Sequence, residues 1–294
     1  MSLSARLGIV FMKGLAHVPL PLLRGFGYVL GRILHSAAVP RRRVVDKNLA
    51  ACFPDKSEAM RQRISRETFV YVAQSWLDRS WLWHAPREVV ERRTKLVGAP
   101  ADIDEVLNGT TPLILFAPHF YGLDAAATSL TMRTPRESTT IYTTQRNPMI
   151  DDWVRISRAR FGNVKPLNRV DGIKPIVAAL RKGGMLYLLP DMDFGRDQSV
   201  FVPFFGVPAA TVPSLSRFSR LGRAKVLPVL SRVTREGYDI EVLPAWKDFP
   251  TDDAVADTAL MNERLAGYIE TMPSQYYWVH RRFKTRPEGA PSIY

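Results

Sequence analysis

The pair His119 and Asp124, in the stretch His119-Phe120-Tyr121-Gly122-Leu123-Asp124, has the most direct chemical meaning in this sequence. A hydroxyl is a weak nucleophile until a base takes its proton, and imidazole does so near neutral pH. A carboxylate on the other ring nitrogen fixes the tautomer and stabilises the imidazolium that forms. Such a pair lets an acceptor hydroxyl attack an acyl group directly, with no enzyme serine. Five residues apart, the two do not share a face of a regular helix. A tight turn eased by Gly122 is needed to join them.

A second constellation is Pro190-Asp191-Met192-Asp193-Phe194-Gly195, followed by the apolar run Phe201-Val202-Pro203-Phe204-Phe205-Gly206. Two carboxylates beyond a strand can bind a metal or organise basic groups. With no further acid or histidine close by, structural hydrogen bonding is the expected role, and neither a metal nor a cofactor is expected. The phenylalanine-rich run reads as core or as the wall of a channel for an apolar ligand. Cys52 is the sole cysteine, which excludes an intramolecular disulfide and a cysteine-based zinc site.

These groups need a scaffold, and the pattern supplies one. A helix is expected over 55–83, then strands over 113–117, 139–143, 164–167 and 185–189 alternating with helices over 125–132, 149–160 and 172–181. Strands over 224–233 and 238–243 flank a Glu236-Gly237 turn, and a helix follows over 252–271. This alternation predicts an α/β fold, a mixed, largely parallel central sheet flanked by helices. His119 then falls just past a strand end, where open α/β sheets place their sites. No glycine-rich phosphate loop is present.

The N-terminal region differs in kind. Residues 7–40 are strongly apolar and carry no acid, and Lys13, Arg24 and Arg32 interrupt them. Two helices broken at Pro19-Leu20-Pro21 would leave basic residues beside an apolar face, the pattern of a segment lying in a membrane interface. We therefore expect residues 1–40 to form an N-terminal membrane-anchoring segment and 41–294 a single α/β domain. A core helical hairpin and a tilted span are the other readings. The net charge of +13 among 294 residues points to a polyanionic partner: an anionic bilayer, a phosphorylated substrate or nucleic acid. No nucleic-acid motif is present, and a nucleic-acid partner is not expected.

The chain resembles the lysophospholipid acyltransferase superfamily, and within it the late lipid A (lauroyl/myristoyl) acyltransferases of Gram-negative bacteria. The resemblance runs over nearly the whole length. It includes Asn48-Leu49, Cys52-Phe53-Pro54, His119 through Asp124, Gln145-Arg146-Asn147-Pro148 and Arg158 with Arg160. The Asp191 block and Trp278-Val279-His280-Arg281-Arg282-Phe283-Lys284 complete it. It implies an acyl carrier protein thioester as donor and a hydroxyl of a lipid A precursor as acceptor, at the cytoplasmic face of the inner membrane. It further implies His119 as base and Asp124 as its partner. Arg158 would hold a phosphate or the developing oxyanion, with Arg160 close enough to do so, and Asp191 would support the site. Arg146 and Asn147 join the substrate-binding candidates. Arg281, Arg282 and Lys284 are expected to dock the donor or the lipid, and His280 to be structural. Asp124, where lipid A members often carry Glu, leaves other lipid acceptors open. A nucleic-acid-binding protein and a catalytically silent membrane scaffold are rivals of another class.

Overall fold

The structure is a computed structural model that describes residues 3–168 and 172–294. Two residues of the expected N-terminal segment thus lie outside the described residues. The chain opens with helices α1 (Leu3–Leu15), α2 (Leu20–Ala37), α3 (Val39–Cys52) and α4 (Glu58–His84), then α5 (Arg87–Arg93). Strand β1 (Thr94–Gly98) and α6 (Pro100–Asn108) lead to β2 (Leu113–Phe116) and α7 (Leu123–Arg133). Next come β3 (Glu137–Tyr142), α8 (Pro148–Arg158), β4 (Asn163–Asn168), α9 (Lys174–Arg181) and β5 (Met185–Leu188). A hairpin, β6 (Val200–Phe204) and β7 (Val207–Thr211), precedes α10 (Ser214–Gly222), β8 (Lys225–Val233), β9 (Tyr238–Val242) and α11 (Ala254–Thr271).

Among the described residues, seven strands form one sheet in the order β1-β9-β8-β2-β5-β3-β4. Every pair is parallel except β8–β9, which the Glu236-Gly237 turn makes antiparallel. The α/β expectation is therefore met. The four residues of β2 are all buried, and successive side chains enter different cores. Ile114 and Phe116 join one cluster with Leu186, Val226 and Leu265, while Leu113 and Leu115 join a second with Tyr187, Leu227 and Trp81. Burial on both faces explains why these strands read as continuous apolar runs rather than alternating ones. Each such side chain contributes about 1.5–3 kcal/mol.

The apolar run Phe201–Gly206 lies in the separate β6–β7 hairpin. Phe204 is fully buried within it and packs beside Phe283 and Tyr276. Val202 and Phe204 belong to the core, while Phe201 and Phe205 are half-buried and Pro203 is exposed. Strand β1 and helices α3, α5, α6 and α10 escaped the sequence reading. All but α3 are five to nine residues long, too short for a periodic signal, and the 14 residues of α3 open on Pro40 and three arginines rather than on an apolar stripe.

Helices α1 and α2 break at Pro19 as expected. One face of α2 is seated on α4: Leu20, Leu23, Gly27 and Gly31 are buried. A Cβ at Gly31 would lie 2.4 Å from Val70 Cα, so only glycine permits this approach. A buried ion pair reinforces the seat. Arg24 donates to Asp78 Oδ2 at 2.6 Å and to Gly237 O, while the Tyr238 hydroxyl and the Trp81 indole also donate to Asp78. Packing thus continues across the expected boundary at residue 40. The opposite face, Leu22, Phe26, Val29 and Ile33, is more than half exposed, as are Leu3, Leu7, Val10 and Phe11 of α1. Among the described residues no helix is long and apolar enough to cross a membrane.

Candidate active site

Strands β2 and β5 are parallel neighbours with Phe116 opposite Leu188. His119 and Asp191 each lie three residues beyond that matched pair, so equal extensions of adjacent strands bring them together. Ala117 N donates to Leu188 O and keeps the two chains in step. His119 Nδ1 sits 2.7 Å from Asp191 Oδ1, and the His119 amide donates to Asp191 Oδ2 at 2.9 Å. The Tyr276 hydroxyl donates to the same oxygen at 3.0 Å. Asp191 is fully buried, while the His119 side chain stays 19 % exposed. Burial alone would raise the Asp191 carboxyl. The His119 charge, its ring and amide hydrogen bonds and the Tyr276 hydroxyl outweigh it and hold the pKa below the usual carboxylate range. With Nδ1 directed at the ionised Asp191, Nε2 is the ring atom left to exchange a proton with a substrate, the arrangement of a general base.

The turn after His119 is held by residues far along the chain. Tyr121 N donates to Gln275 O and Tyr277 N to His119 O, and Phe120 bridges to Tyr276. The Gln275 side chain is clamped on Val233, accepting from its amide and donating to its carbonyl. Gly122 has an ordinary φ of −84°, so turn strain is not its purpose. A Cβ there would lie 2.8 Å from both Ser231 and Tyr238, so the glycine lets the start of α7 rest on β8 and β9.

The sequence pairing of Asp124 with His119 is corrected by this geometry: the carboxylate on the ring is Asp191. Asp124, buried in the first turn of α7, is bracketed instead by Arg79 Nε at 2.8 Å and Arg158 Nε at 2.9 Å. Burial would raise its pKa, but Arg158 and Arg79 outweigh that and bring it down to about 2. Both arginines use Nε for Asp124. Their side chains are 28 % and 39 % exposed, and their terminal nitrogens make no other hydrogen bond among the described residues. Arg79 was missed from sequence. Its only signal there is a cation within an aromatic-rich stretch, Trp76 to Trp83.

Several further candidates fall elsewhere. Arg160 is spent on the carbonyls of Leu82 and Ala85 and lies over the Phe161 ring, so it does not serve as a free anion site. Asn147 caps α8, accepting from the amides of Met149 and Ile150, and Arg146 is exposed just before it. Arg282, expected on a docking surface, is buried. It donates to Ala210 O and Thr211 Oγ1 and covers the Phe204 ring. Arg281 and Lys284 beside it remain exposed. Asp193 is structural: it accepts from the Thr285 amide and hydroxyl and from Gly195 N. Among the described residues no three His, Cys, Asp or Glu are placed to hold a metal ion.

A groove of about 450 Å³ opens beside the dyad, walled by Leu34, Phe69, Val72, Met192, Tyr277 and His280. The Tyr277 ring lies 6.1 Å from that of His119. Phe69, Val72 and Arg79 are three and seven residues apart along α4, one side of that helix. The same helix therefore serves the groove and the Asp124 cluster.

The profile of the family described as bacterial lipid A biosynthesis acyltransferase matches residues 3–285. A lipid A biosynthesis acyltransferase of Haemophilus influenzae is 34% identical over 286 residues, 96% of this chain and 88% of that protein. The lipid A biosynthesis lauroyltransferase of Escherichia coli K12 is 33% identical over 291 residues, covering 98% of this chain and 94% of that one. The myristoyltransferase of the same organism is 31% identical over 97% of this chain and 88% of its own length. A match over nearly the whole length takes in both the dyad and its scaffold, and the chain belongs to the bacterial lipid A biosynthesis acyltransferase family.

Proposed function

We propose that this protein transfers a fatty acyl group from an acyl carrier protein thioester to a hydroxyl of a lipid A precursor, with His119 as the general base. The observation that carries the reading is the His119–Asp191 dyad at the shared end of β2 and β5. Nε2 of His119 takes the hydroxyl proton as the oxygen attacks the thioester carbonyl. The carbon–oxygen bond forms, the tetrahedral intermediate collapses, and the carbon–sulfur bond breaks. The proton on Nε2 passes to the leaving thiolate, so the histidine ends as it began. Asp191 stabilises the transient imidazolium.

Arg79 and Arg158, both aimed by Asp124 through Nε, turn their remaining donors toward a phosphate of the acceptor. Asp124 is then a positioning residue for two arginines rather than for the ring. The exposed apolar faces of α1 and α2 lie on the cytoplasmic side of the inner membrane, with Lys13 and Arg32 reaching anionic headgroups. Exposed Arg281 and Lys284, with the net charge of +13, favour an acidic carrier protein. The two Escherichia coli relatives named above are a lauroyltransferase and a myristoyltransferase, so family membership leaves the chain length open.

The test is turnover by purified protein with a panel of acyl carrier protein thioesters and a tetra-acylated glucosamine disaccharide. His119→Ala is expected to abolish transfer with the protein still folded, its melting temperature lowered because buried Asp191 loses a hydrogen-bond partner. Full activity in that variant would sink the mechanism.

A further inference from the structure

The ring of His280 is half-buried and held by a backbone amide. Its Nε2 accepts a hydrogen bond from the Asp193 amide at 3.1 Å. A backbone N–H only donates, so Nε2 must be unprotonated and the ring proton must sit on Nδ1. Asp193 is fixed in turn by the Thr285 amide and hydroxyl, and the His280 carbonyl accepts from Asn48 Nδ2. Ring and tautomer are thus set from two sides. Nδ1 makes no protein hydrogen bond among the described residues, and it is not among the buried orphan atoms. It remains accessible where His280 lines the groove.

Two neighbours tie this donor to the dyad, although neither His119 nor Asp191 itself lines the groove. Asp191, which grips His119, and Asp193, which grips His280, are two residues apart on one loop. Tyr277 stands beside the His119 ring and lines the groove with His280. Apart from His280, the walls named above are apolar but for one tyrosine. Arg41, at the rim, turns back onto Val279 O. Burial, then Arg282 and His119, lowers the His280 pKa to about 4, so the ring is neutral at physiological pH.

We propose that His280 is a second catalytic residue, whose Nδ1–H donates to the acyl carbonyl oxygen and holds the negative charge that grows there during transfer. The proposal rests on the acyl-transfer reading above. As the acceptor oxygen bonds to the carbonyl carbon, the π electrons move to the carbonyl oxygen, which His280 faces. They return when the thiolate leaves. A neutral donor suits this place: a charged one would oppose the imidazolium forming on His119, and a phosphate would be drawn to the arginine pair instead. An apolar groove suits the fatty chain attached to that carbonyl, and its low polarity strengthens the hydrogen bond.

The experiment compares His280→Phe and His280→Asn for kcat, KM and melting temperature, using lauroyl-acyl carrier protein and the tetra-acylated disaccharide. Phenylalanine keeps the ring and deletes the donor. Asparagine places an amide N–H near the lost Nδ1–H. His280→Phe is expected to lower kcat about 100-fold with KM for the acceptor within threefold. His280→Asn is expected to recover at least tenfold of that loss at a similar melting temperature. Three results overturn the proposal: kcat within threefold of wild type in His280→Phe, equal losses in both variants that track a lowered melting temperature, or a raised acceptor KM with unchanged kcat. His119→Ala assayed alongside separates the two readings. Activity surviving there refutes the base assignment, whatever His280 does.

Discussion

Asp191→Asn is the sharpest probe of the dyad, because the fold decides how the new amide must lie. Asp191 Oδ2 accepts from two donors, the His119 amide and the Tyr276 hydroxyl. An asparagine satisfies both only by placing its single oxygen there. Its NH2 then faces His119 Nδ1, which must accept, so the ring proton moves to Nε2 and the base is blocked. The reverse orientation keeps the productive tautomer but leaves the His119 N–H facing another donor. That costs about 2 kcal/mol, leaving roughly one molecule in thirty productive. In those, the imidazolium lacks its buried counter-charge, a further loss of about 3 kcal/mol, or roughly 100-fold. The product is a fall in kcat of about 10³ to 10⁴. Steady-state transfer assays measure it, with thermal melting to show that the fold persists. Tyr276→Phe removes one of the two orienting donors, so Asp191→Asn should cost less in that background. Asp191→Asn with kcat within tenfold of wild type would refute the tautomer argument, and strict additivity with Tyr276→Phe would refute the orientation argument.

Asp78→Ala strips the counter-charge from Arg24 and orphans the Tyr238 and Trp81 donors. We expect a loss of about 3–5 kcal/mol in chemical denaturation, and a loss under about 1 kcal/mol would mean that α2 is held by its apolar contacts alone. Asp124 has a folded-state pKa of about 2, below its ordinary value of 3.8. The stability it contributes is therefore full above about pH 4 and lost as pH falls toward 2. Arg158→Gln lets the carboxyl rise and should move the acid unfolding midpoint upward; superimposable melting curves of the two proteins between pH 2 and 5 would contradict this. Replacing Leu22, Phe26, Val29 and Ile33 with serine removes four side chains that are each a little over half exposed. At about 1 kcal/mol each, flotation with anionic vesicles should weaken roughly a thousandfold, and undiminished flotation would exclude this face as the contact.

Much of the fold was legible because its central strands are short apolar runs closed by Pro118 or Pro190, and its longer helices carry clear breakers. The site was legible in its members but not in its pairings. His119 and Asp124 are near in sequence, and a local reading joins them. The partner that binds the ring is 72 residues away, and only the β2–β5 register reveals it. Arg282 and Lys284 look alike as part of a basic cluster. Their separation into core and surface depends on the β6–β7 hairpin, whose Thr211 and Ala210 receive the guanidinium. Arg79 was hidden for the same reason. A cation on a helix carries no signal until the carboxylate it meets is known, and Asp124 lies 45 residues further on.

The glycine seat of α2 bears on how this protein can be handled. Trimming the chain at residue 38 to gain solubility would strip Leu20 and Leu23 from the cluster that includes Leu77, Trp81 and Tyr238, and leave Asp78 without Arg24. The shortened protein would trade one greasy surface for another and lose a buried counter-ion besides. A detergent-free form is better sought by recolouring the outward face of α2 than by cutting the helix away.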